Sequence, residues 1–207
     1  MKRNGLIGRH IRAYKVTTHA DGKLASLPDL IGRDFSAGAP DERWCGDVTY
    51  IKTAKGWAYK ATVIDIGTRR LIGWAIDTHM RKELVERALA DALKRRSFPK
   101  DVIFHSDHGS VYTSRAFQHF CKRNKVRQSL GRTGVCWDNA VAESYFATYK
   151  RELIFTRPWR DVEEVRTRTF RWIEFYYNKK RRHSALNYLT PMEYELSWSG
   201  HDYELAA

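Results

Sequence analysis

Three runs of apolar and aromatic positions lie in the first half of the chain and have the composition of strands. They begin at Val48, Trp57 and Arg70 and read VTYI, WAYKATVID and RLIGWAI. β-Branched and aromatic residues of this kind favour strands. Lys55-Gly56 and Gly67-Thr68 stand between the runs, and such turn residues join antiparallel neighbours. We therefore predict a three-stranded antiparallel meander.

Beyond the meander the apolar spacing changes to that of helices. Between Arg81 and Arg96 apolar residues recur at the i, i+1, i+4, i+5 spacing of an amphipathic helix, which Pro99 ends. A short apolar run at Asp101–His105 follows, then a helical pattern at Ser114–Asn124 and a further strand candidate at Val126–Leu130. A strand that follows a helix is typical of a parallel, buried strand. The pattern thus predicts an α/β fold with a mixed sheet covered by helices.

A helix is also predicted over Asn139–Leu153. Asp138 is a good N-cap, and neither Gly nor Pro interrupts the helix-forming residues before Pro158. With 3.6 residues per turn, Glu143 and Lys150 lie on one face, two turns apart. A carboxylate and an ammonium group therefore point the same way from this helix.

Two more helices are predicted after Pro158. Asp161 and Glu164 form a capping-box pattern at the start of the first one. We expect its buried stripe to consist of Val162, Val165, Thr169, Trp172, Ile173 and Tyr176. A basic cluster follows it, and the sequence Thr190-Pro191-Met192-Glu193 then begins a last short helix. Together these helices predict a helical extension at the C-terminal end.

Charge narrows the choice of partners. The chain carries 37 Lys and Arg against 24 Asp and Glu, a formal net charge of +13, which favours nucleic acid as the partner.

No apolar stretch approaches the roughly 20 residues of a membrane span, and no apolar segment follows the basic start. The three cysteines form no CxxC pair and are expected to be reduced thiols. We therefore expect a cytoplasmic protein without a membrane partner.

Three acidic residues occupy positions where ligands are commonly bound. Asp47 lies in a predicted strand on the face that helices cover, and Asp107 follows a parallel-type strand, whose carboxyl end is a usual ligand site. Glu143 is one turn into its helix. If the three converged, they would repel one another unless cations were bound, and oxygen ligands favour Mg²⁺ or Mn²⁺. Ion pairing, helix capping or simple solvation remain open as alternatives.

Five ordered blocks of the sequence resemble a known family. They read RWCGDVTYI, VIDIGTRRLIGWAI, HSDHGSVYTS, GVCWDNAVAESYFATYKREL and YNKKRRHSALNYLTPMEY. In this order they are similar to the catalytic region of bacterial insertion-sequence transposases of the IS-three group, which have a retroviral-integrase-like core. The resemblance implies an RNase H-like fold and a DDE active site formed by Asp47, Asp107 and Glu143. It divides the chain into an N-terminal basic arm or linker (1–42), a catalytic core (43–155) and a C-terminal helical extension (156–207).

The resemblance also implies cofactors and partners. Two Mg²⁺ ions, for which Mn²⁺ can substitute, would be held by the three acids, and DNA cleavage and strand transfer would follow. Lys150 and Asn139 match family positions beside the glutamate, and Lys150 is implied to contact terminal DNA. Basic residues close to these blocks are further candidates for phosphate contacts: Arg151, Lys179, Lys180, Arg181 and Arg182. The partners would be transposon-end DNA, target DNA and further copies of the chain.

Departures from the family pattern leave alternatives open. Gly46 stands where related sequences usually carry Thr. Only a short basic arm precedes the core here, so we expect a truncated copy or a chain completed by a helix-turn-helix protein from an overlapping reading frame. The alternatives are a non-catalytic DNA-binding remnant that modulates a full-length transposase, and a hydrolytic RNase H-like nuclease. Asp65 and His108 are further candidates for support of the site, and Trp137 could stack on a base or pack in the core.

Overall fold

The computed structural model describes residues 27–131 and 139–198, and a five-stranded mixed sheet lies at its centre. The strands are β1 (Arg43–Thr53), β2 (Gly56–Asp65), β3 (Leu71–Asp77), β4 (Ile103–Ser106) and β5 (Arg127–Leu130). Their order across the sheet is β3-β2-β1-β4-β5. β1, β2 and β3 pair antiparallel, whereas β4 pairs parallel to both β1 and β5. The predicted meander followed by parallel strands is confirmed.

Helices cover both faces of this sheet. They are α1 (Lys82–Arg95), α2 (Ser110–Thr113), α3 (Arg115–Arg123), α4 (Ala140–Glu152), α5 (Val162–Trp172) and α6 (Pro191–Trp198). A π-helical turn, Ile173–Tyr177, continues α5. The short helix α2 was not predicted, because four residues are too few to show a helical period. No helix in the described ranges is long and apolar enough to cross a membrane.

The sheet divides the core into two apolar layers. One layer holds the buried side of α1 and α3, with Trp44 and Phe104 from the sheet. The other holds the buried sides of α4 and α5, with Cys45 and Ile51. Because successive strand residues face opposite sides, Asp47 lies on the same side as Cys45 and α4. This parity places Asp47 beneath the helix that carries Glu143.

The described part of the N-terminal segment packs on the core although it contains no helix or strand. Ile31 is buried among apolar residues on the α4 side. The Leu30 N–H donates to Ser129 Oγ at 2.9 Å, and the Leu130 N–H donates to the Pro28 carbonyl at 3.2 Å. This segment therefore covers part of the edge strand β5, which would otherwise offer free backbone groups to other chains.

The π-helical turn corrects one predicted position. Tyr176 was expected on the buried stripe, but 40% of it is exposed and Tyr177 is buried instead. A π turn holds more residues than the 3.6 of an α-helix, so the side chain that reaches the core comes one position later.

The starts of two helices agree with the capping residues that the sequence predicted. Asp161 caps α5 by accepting from the Glu164 N–H, and Thr190 and Glu193 exchange both bonds of a capping box before α6.

Candidate active site

The strand register brings two of the three predicted acids level with each other. β1 and β4 run parallel, with Cys45 opposite His105. Two residues further along the chain stand Asp47, inside β1, and Asp107, just beyond the end of β4. Neighbouring strands lie about 4.8 Å apart. Continuing the register therefore places the two aspartates side by side, where the parallel strand β4 ends.

The two carboxylates differ in their surroundings. Asp47 is half-buried, and its Oδ1 accepts the Val48 N–H at 2.7 Å. Asp107 is exposed, and its Oδ1 accepts the Gly109 N–H at 2.9 Å. Each aspartate is thus oriented by one backbone donor that follows it in the chain. The other oxygen of each carboxylate has no hydrogen-bond donor among the described residues, so it remains available to a ligand.

The third acid is supplied by the first turn of α4. Glu143 is exposed there, and its N–H donates to the carbonyl of Asn139 at 3.0 Å. The Asn139 side chain in turn donates to the carbonyl of Gly46 at 3.2 Å. Gly46 precedes Asp47 in β1, so this amide joins the start of the Glu143 helix to the Asp47 strand.

This contact gives Asn139 a different environment from the one that a DNA contact requires. Asn139 is buried, and its Oδ1 has no hydrogen-bond partner among the described residues. The hydrogen bond from the Asn139 side chain to Gly46 positions α4 against β1. The predicted N-cap Asp138 and the residue Trp137 lie outside the described residues.

Asp107 and Glu143 both lie close enough to Asp47 to influence its pKa. The pKa of Asp47 is raised to about 7, first by burial and then by repulsion from Asp107, with a further contribution from Glu143. The positive charge of Lys150 acts in the opposite direction on the same group. Partial burial also raises the pKa of Glu143. Crowded carboxylates with raised pKa values are typical of functional sites.

The donor atoms suit a divalent cation chemically, although no three His, Cys, Asp or Glu side chains of the described residues are placed so that they could hold one metal ion together. The donors are carboxylate oxygens, which hard cations such as Mg²⁺ prefer. The repulsion that raises the pKa of Asp47 would be relieved by a bound positive charge. Asp47 and Asp107 would form the fixed part of such a site, and Glu143 would complete it from α4.

Two predicted DNA contacts lie in the last turn of α4. Lys150 is half-buried, with its Nζ 5.5 Å from the centre of the Tyr50 ring on β1. Because Lys150 also lowers the pKa of Asp47, it stands beside the acids. Arg151 is exposed next to it. A basic group thus borders the acidic site, as a phosphate-binding surface requires.

The basic cluster after α5 divides into two parts. Lys179 and Lys180 are exposed. Arg181 instead approaches α4, with its Nε 3.4 Å from Glu152 Oε1 and its Nη2 3.4 Å from Thr148 Oγ1. Arg182 is exposed but donates to the Tyr188 carbonyl at 3.0 Å.

Asp65 does not support the triad. It is fully buried, and its carboxylate accepts the N–H groups of Asp41 and Thr68 at 2.7 and 3.0 Å. Asp65 pairs across the strands with Trp44, so both face the α1 side, whereas Asp47 faces α4. The prediction of support for the site from Asp65 was therefore wrong.

His108 donates through Nε2 to the Gly131 carbonyl and so connects the segment after β4 to the end of β5.

Sequence reasoning missed Lys60, which packs directly under α4. Its side chain is completely buried and donates to the Tyr145 hydroxyl. Its Nζ lies 3.6 Å from the centre of the Tyr149 ring. Burial lowers the pKa of Lys60 well below its ordinary value. The available signal was a lysine in the middle of the run WAYKATVID, where an exposed edge position would have been the usual explanation.

Known proteins resemble this chain over most of its length. Two models described as integrase core domain match residues 37–136 and 124–191. The InsF transposase of insertion sequence IS3A from Escherichia coli strain K12 is 37% identical over 195 residues, covering 94% of this chain and 68% of that protein. The transposase of IS904 from Lactococcus lactis subsp. lactis strain IL1403 is 38% identical over 179 residues, covering 86% and 71%.

Solved structures share the fold at low sequence identity. The magnesium-bound, dimeric catalytic core domain of HTLV-2 integrase has a TM-score of 0.57 and 16% identity, covering 76% of this chain and 97% of that one. A chain of the simian T-cell lymphotropic virus intasome has a TM-score of 0.61 and 14% identity, covering 90% and 63%. These neighbours establish an RNase H-like fold. With the sequence matches, they show that the chain belongs to the IS3-group transposases with an integrase core, enzymes of DNA transposition.

Proposed function

We propose that this chain cleaves one DNA strand and transfers it to a second DNA with the help of two divalent ions, Mg²⁺ or Mn²⁺. The observation that supports the proposal is that the strand register places Asp47 and Asp107 at one level of the sheet, with Glu143 close enough to raise the pKa of Asp47. The integrase core family generally depends on divalent metals and acts on DNA as oligomers. The acid site of this chain supplies the ligands that such a reaction needs.

The three acids share one proposed role. Asp47, Asp107 and Glu143 would together hold the two ions through their carboxylate oxygens. When bound, such ions stabilise the attacking and leaving oxygens of an in-line phosphoryl transfer. A carboxylate must be deprotonated to act as a ligand, so Asp47, with its pKa near 7, would lose its proton on binding.

The basic residues would position the DNA strand. Lys150 and Arg151 lie in the last turn of α4, two turns beyond Glu143, where they would hold phosphates beside the acids. The exposed Lys179 and Lys180 would contact the backbone further away. In this proposal residues 43–155 form the catalytic unit, and the segment from 156 onward extends its DNA-binding surface.

The proposal is tested by Asp107→Asn, with Asp101→Asn as the matched control before the start of β4. Both aspartates are exposed, so neither change should affect folding. Nicking of labelled element-end DNA is measured in Mg²⁺, and DNA binding is measured by fluorescence anisotropy. We expect Asp107→Asn to abolish nicking with nearly unchanged binding, and Asp101→Asn to retain both.

If the Asp107→Asn variant still nicked the DNA, this result would contradict the proposed site. If the unsubstituted chain bound DNA without nicking it, the non-catalytic alternative would replace the proposal. Hydrolysis of RNA–DNA hybrids without strand joining would instead indicate a nuclease.

A further inference from the structure

A cavity of about 500 Å³ opens beside α4, on a different face of this helix from the one that carries Glu143. One wall is formed by α4 through Val141, Ser144 and Thr148, and Ser144 directly follows Glu143. The opposite wall is formed by the segment between Tyr177 and Tyr188. Pockets of 300 to 1,000 Å³ are the usual size for small ligands. The cavity therefore has room for one nucleotide-sized group.

The cavity is lined by cationic groups and by no acidic side chain of the described chain. Arg69 is largely buried, donates to the carbonyls of Phe35 and Ile66, and forms no ion pair with the described residues. The one acidic contact of Arg181 among the described residues is the long one to Glu152, at 3.4 Å. Arg182 has a main-chain partner and forms no direct ion pair among the described residues, although its charge contributes to the lowered pKa of Glu193. Three guanidinium groups with so little compensation favour an anion.

His183 lines the cavity but adds no positive charge at neutral pH. Burial, followed by the charges of Arg181 and Arg69, lowers the pKa of His183 to about 4. Its ring nitrogens lie 3.4 and 3.3 Å from Arg181 Nη1. The neutral imidazole can therefore accept from the guanidinium and hold it in place.

An exposed aromatic ring stands at the rim. Tyr188 lines the cavity and is 68% exposed. Asn187 and Tyr188 have φ angles of 53° and 62°, and the left-handed region is costly for a bulky residue. The Tyr188 N–H donates to the His183 carbonyl at 2.9 Å, and Arg182 donates to the Tyr188 carbonyl. A constrained turn thus fixes an exposed ring beside two arginines.

We propose that this cavity binds one unpaired nucleotide of the DNA substrate, with its base stacked on Tyr188 and its phosphate held by Arg181 and Arg182. Stacking on an aromatic ring tolerates any base, and arginine pairs with phosphate in a bidentate manner. α4 carries the cavity on one face and Glu143 on another, so the nucleotide would be one that has left the duplex close to this helix. This inference rests on the proposed function, because it names a binding site for the same substrate.

The test compares two DNA probes with the full chain in EDTA, where no metal-dependent cleavage can occur. One probe is a blunt duplex, and the other has the same duplex with a three-nucleotide overhang that contains 2-aminopurine. Affinity is measured by anisotropy, and stacking by quenching of 2-aminopurine fluorescence. We expect overhang DNA to bind more tightly, by about 5- to 150-fold, because stacking contributes about 1–3 kcal/mol per base.

Substitutions assign the effect to the cavity. Tyr188→Ala should remove the preference for the overhang and the quenching, whereas Tyr188→Trp should retain both. Phe155→Ala is the matched control, because Phe155 is 76% exposed and does not line the cavity. Arg182→Gln should weaken overhang binding more than blunt binding, and Arg168→Gln, which changes an exposed arginine on α5, should affect both probes equally.

Equal affinity for the two probes, or a preference unchanged in Tyr188→Ala, would overturn the inference. Nicking of element-end DNA in Mg²⁺ is followed in parallel to separate the two proposals. If the chain nicks DNA but shows no preference for the overhang, the cavity proposal fails and the proposed function stands. If it neither nicks nor binds DNA, both fail.

Discussion

Gly46 leaves the space into which the ring of Phe104 packs. A Cβ atom added at Gly46 would lie 2.2 Å from Phe104 Cζ, well inside van der Waals contact. Phe104 is itself buried against Tyr112 and Phe117, so the ring has little room to move. Gly46 also offers its carbonyl to Asn139. Directly before Asp47, the place of a side chain at position 46 is thus taken by the ring of Phe104.

We expect Gly46→Ala to lower the free energy of unfolding by about 1–3 kcal/mol, the usual cost of overpacking a core. Gly38→Ala is the control, because its added Cβ would lie 3.5 Å from the nearest atom, Arg43 Nη2. Urea denaturation measures both. Adding Phe104→Leu to Gly46→Ala should recover part of the loss. Equal stability of the two alanine variants would contradict the packing described.

Lys60 makes stability depend on pH. Its folded-state pKa is lowered by burial, whereas in the unfolded chain it is about 10.4. Between these two values the unfolded chain binds a proton that the folded chain does not. Stability from this group therefore rises with pH through that window, by up to about 1.4 kcal/mol per pH unit.

Lys60→Met removes the titrating group and keeps an apolar stem of similar length. The free energy of unfolding of the original chain, minus that of Lys60→Met, should become more positive between pH 7 and pH 9.5. Urea denaturation at both pH values gives this difference. Lys52→Met, at an exposed position on β1, should show no such trend. A difference independent of pH for Lys60→Met would mean that the ammonium is charged inside its aromatic surroundings.

At the scale of elements, periodicity predicted what depends on local spacing. The helix predicted for Arg81–Arg96 is α1. The apolar residues that show the predicted spacing are all buried: Leu84, Val85, Ala88, Leu89, Ala92 and Leu93. Asp65 shows where local spacing fails, because the face of a residue depends on the register with β1. The π-helical turn likewise arises from packing against the sheet, so the sequence could not distinguish Tyr176 from Tyr177.

The two tyrosines test the π-helical turn. Tyr177→Ala should lower the free energy of unfolding by about 3–5 kcal/mol, the range for truncation of a buried aromatic side chain. Tyr176→Ala should cost less than about 1 kcal/mol, because its ring is 40% exposed. Thermal or urea unfolding of both variants provides the comparison. A larger loss for Tyr176→Ala would indicate a regular α-helix through this segment.

At the scale of the whole molecule, the acid site could be predicted and the cavity could not. The pattern places Asp47 in a strand, Asp107 at a strand end and Glu143 in the first turn of a helix, and the family resemblance joined the three into one predicted active site. The cavity combines parts of four separated segments: Phe35, Arg69, the α4 wall and the turn before Tyr188. No local pattern relates residues so far apart in the chain. Only the folded sheet and its helices bring them to one side of α4.

The central claim is that Asp47, Asp107 and Glu143 together bind divalent ions. Titration with Mn²⁺, followed by electron paramagnetic resonance of the free ion, measures this binding without DNA or turnover. We expect at least one site in the unsubstituted chain and in Asp101→Asn, and affinity weaker by at least about 10-fold in Asp47→Asn and Asp107→Asn. Unchanged Mn²⁺ stoichiometry and affinity in both of these variants would contradict the account.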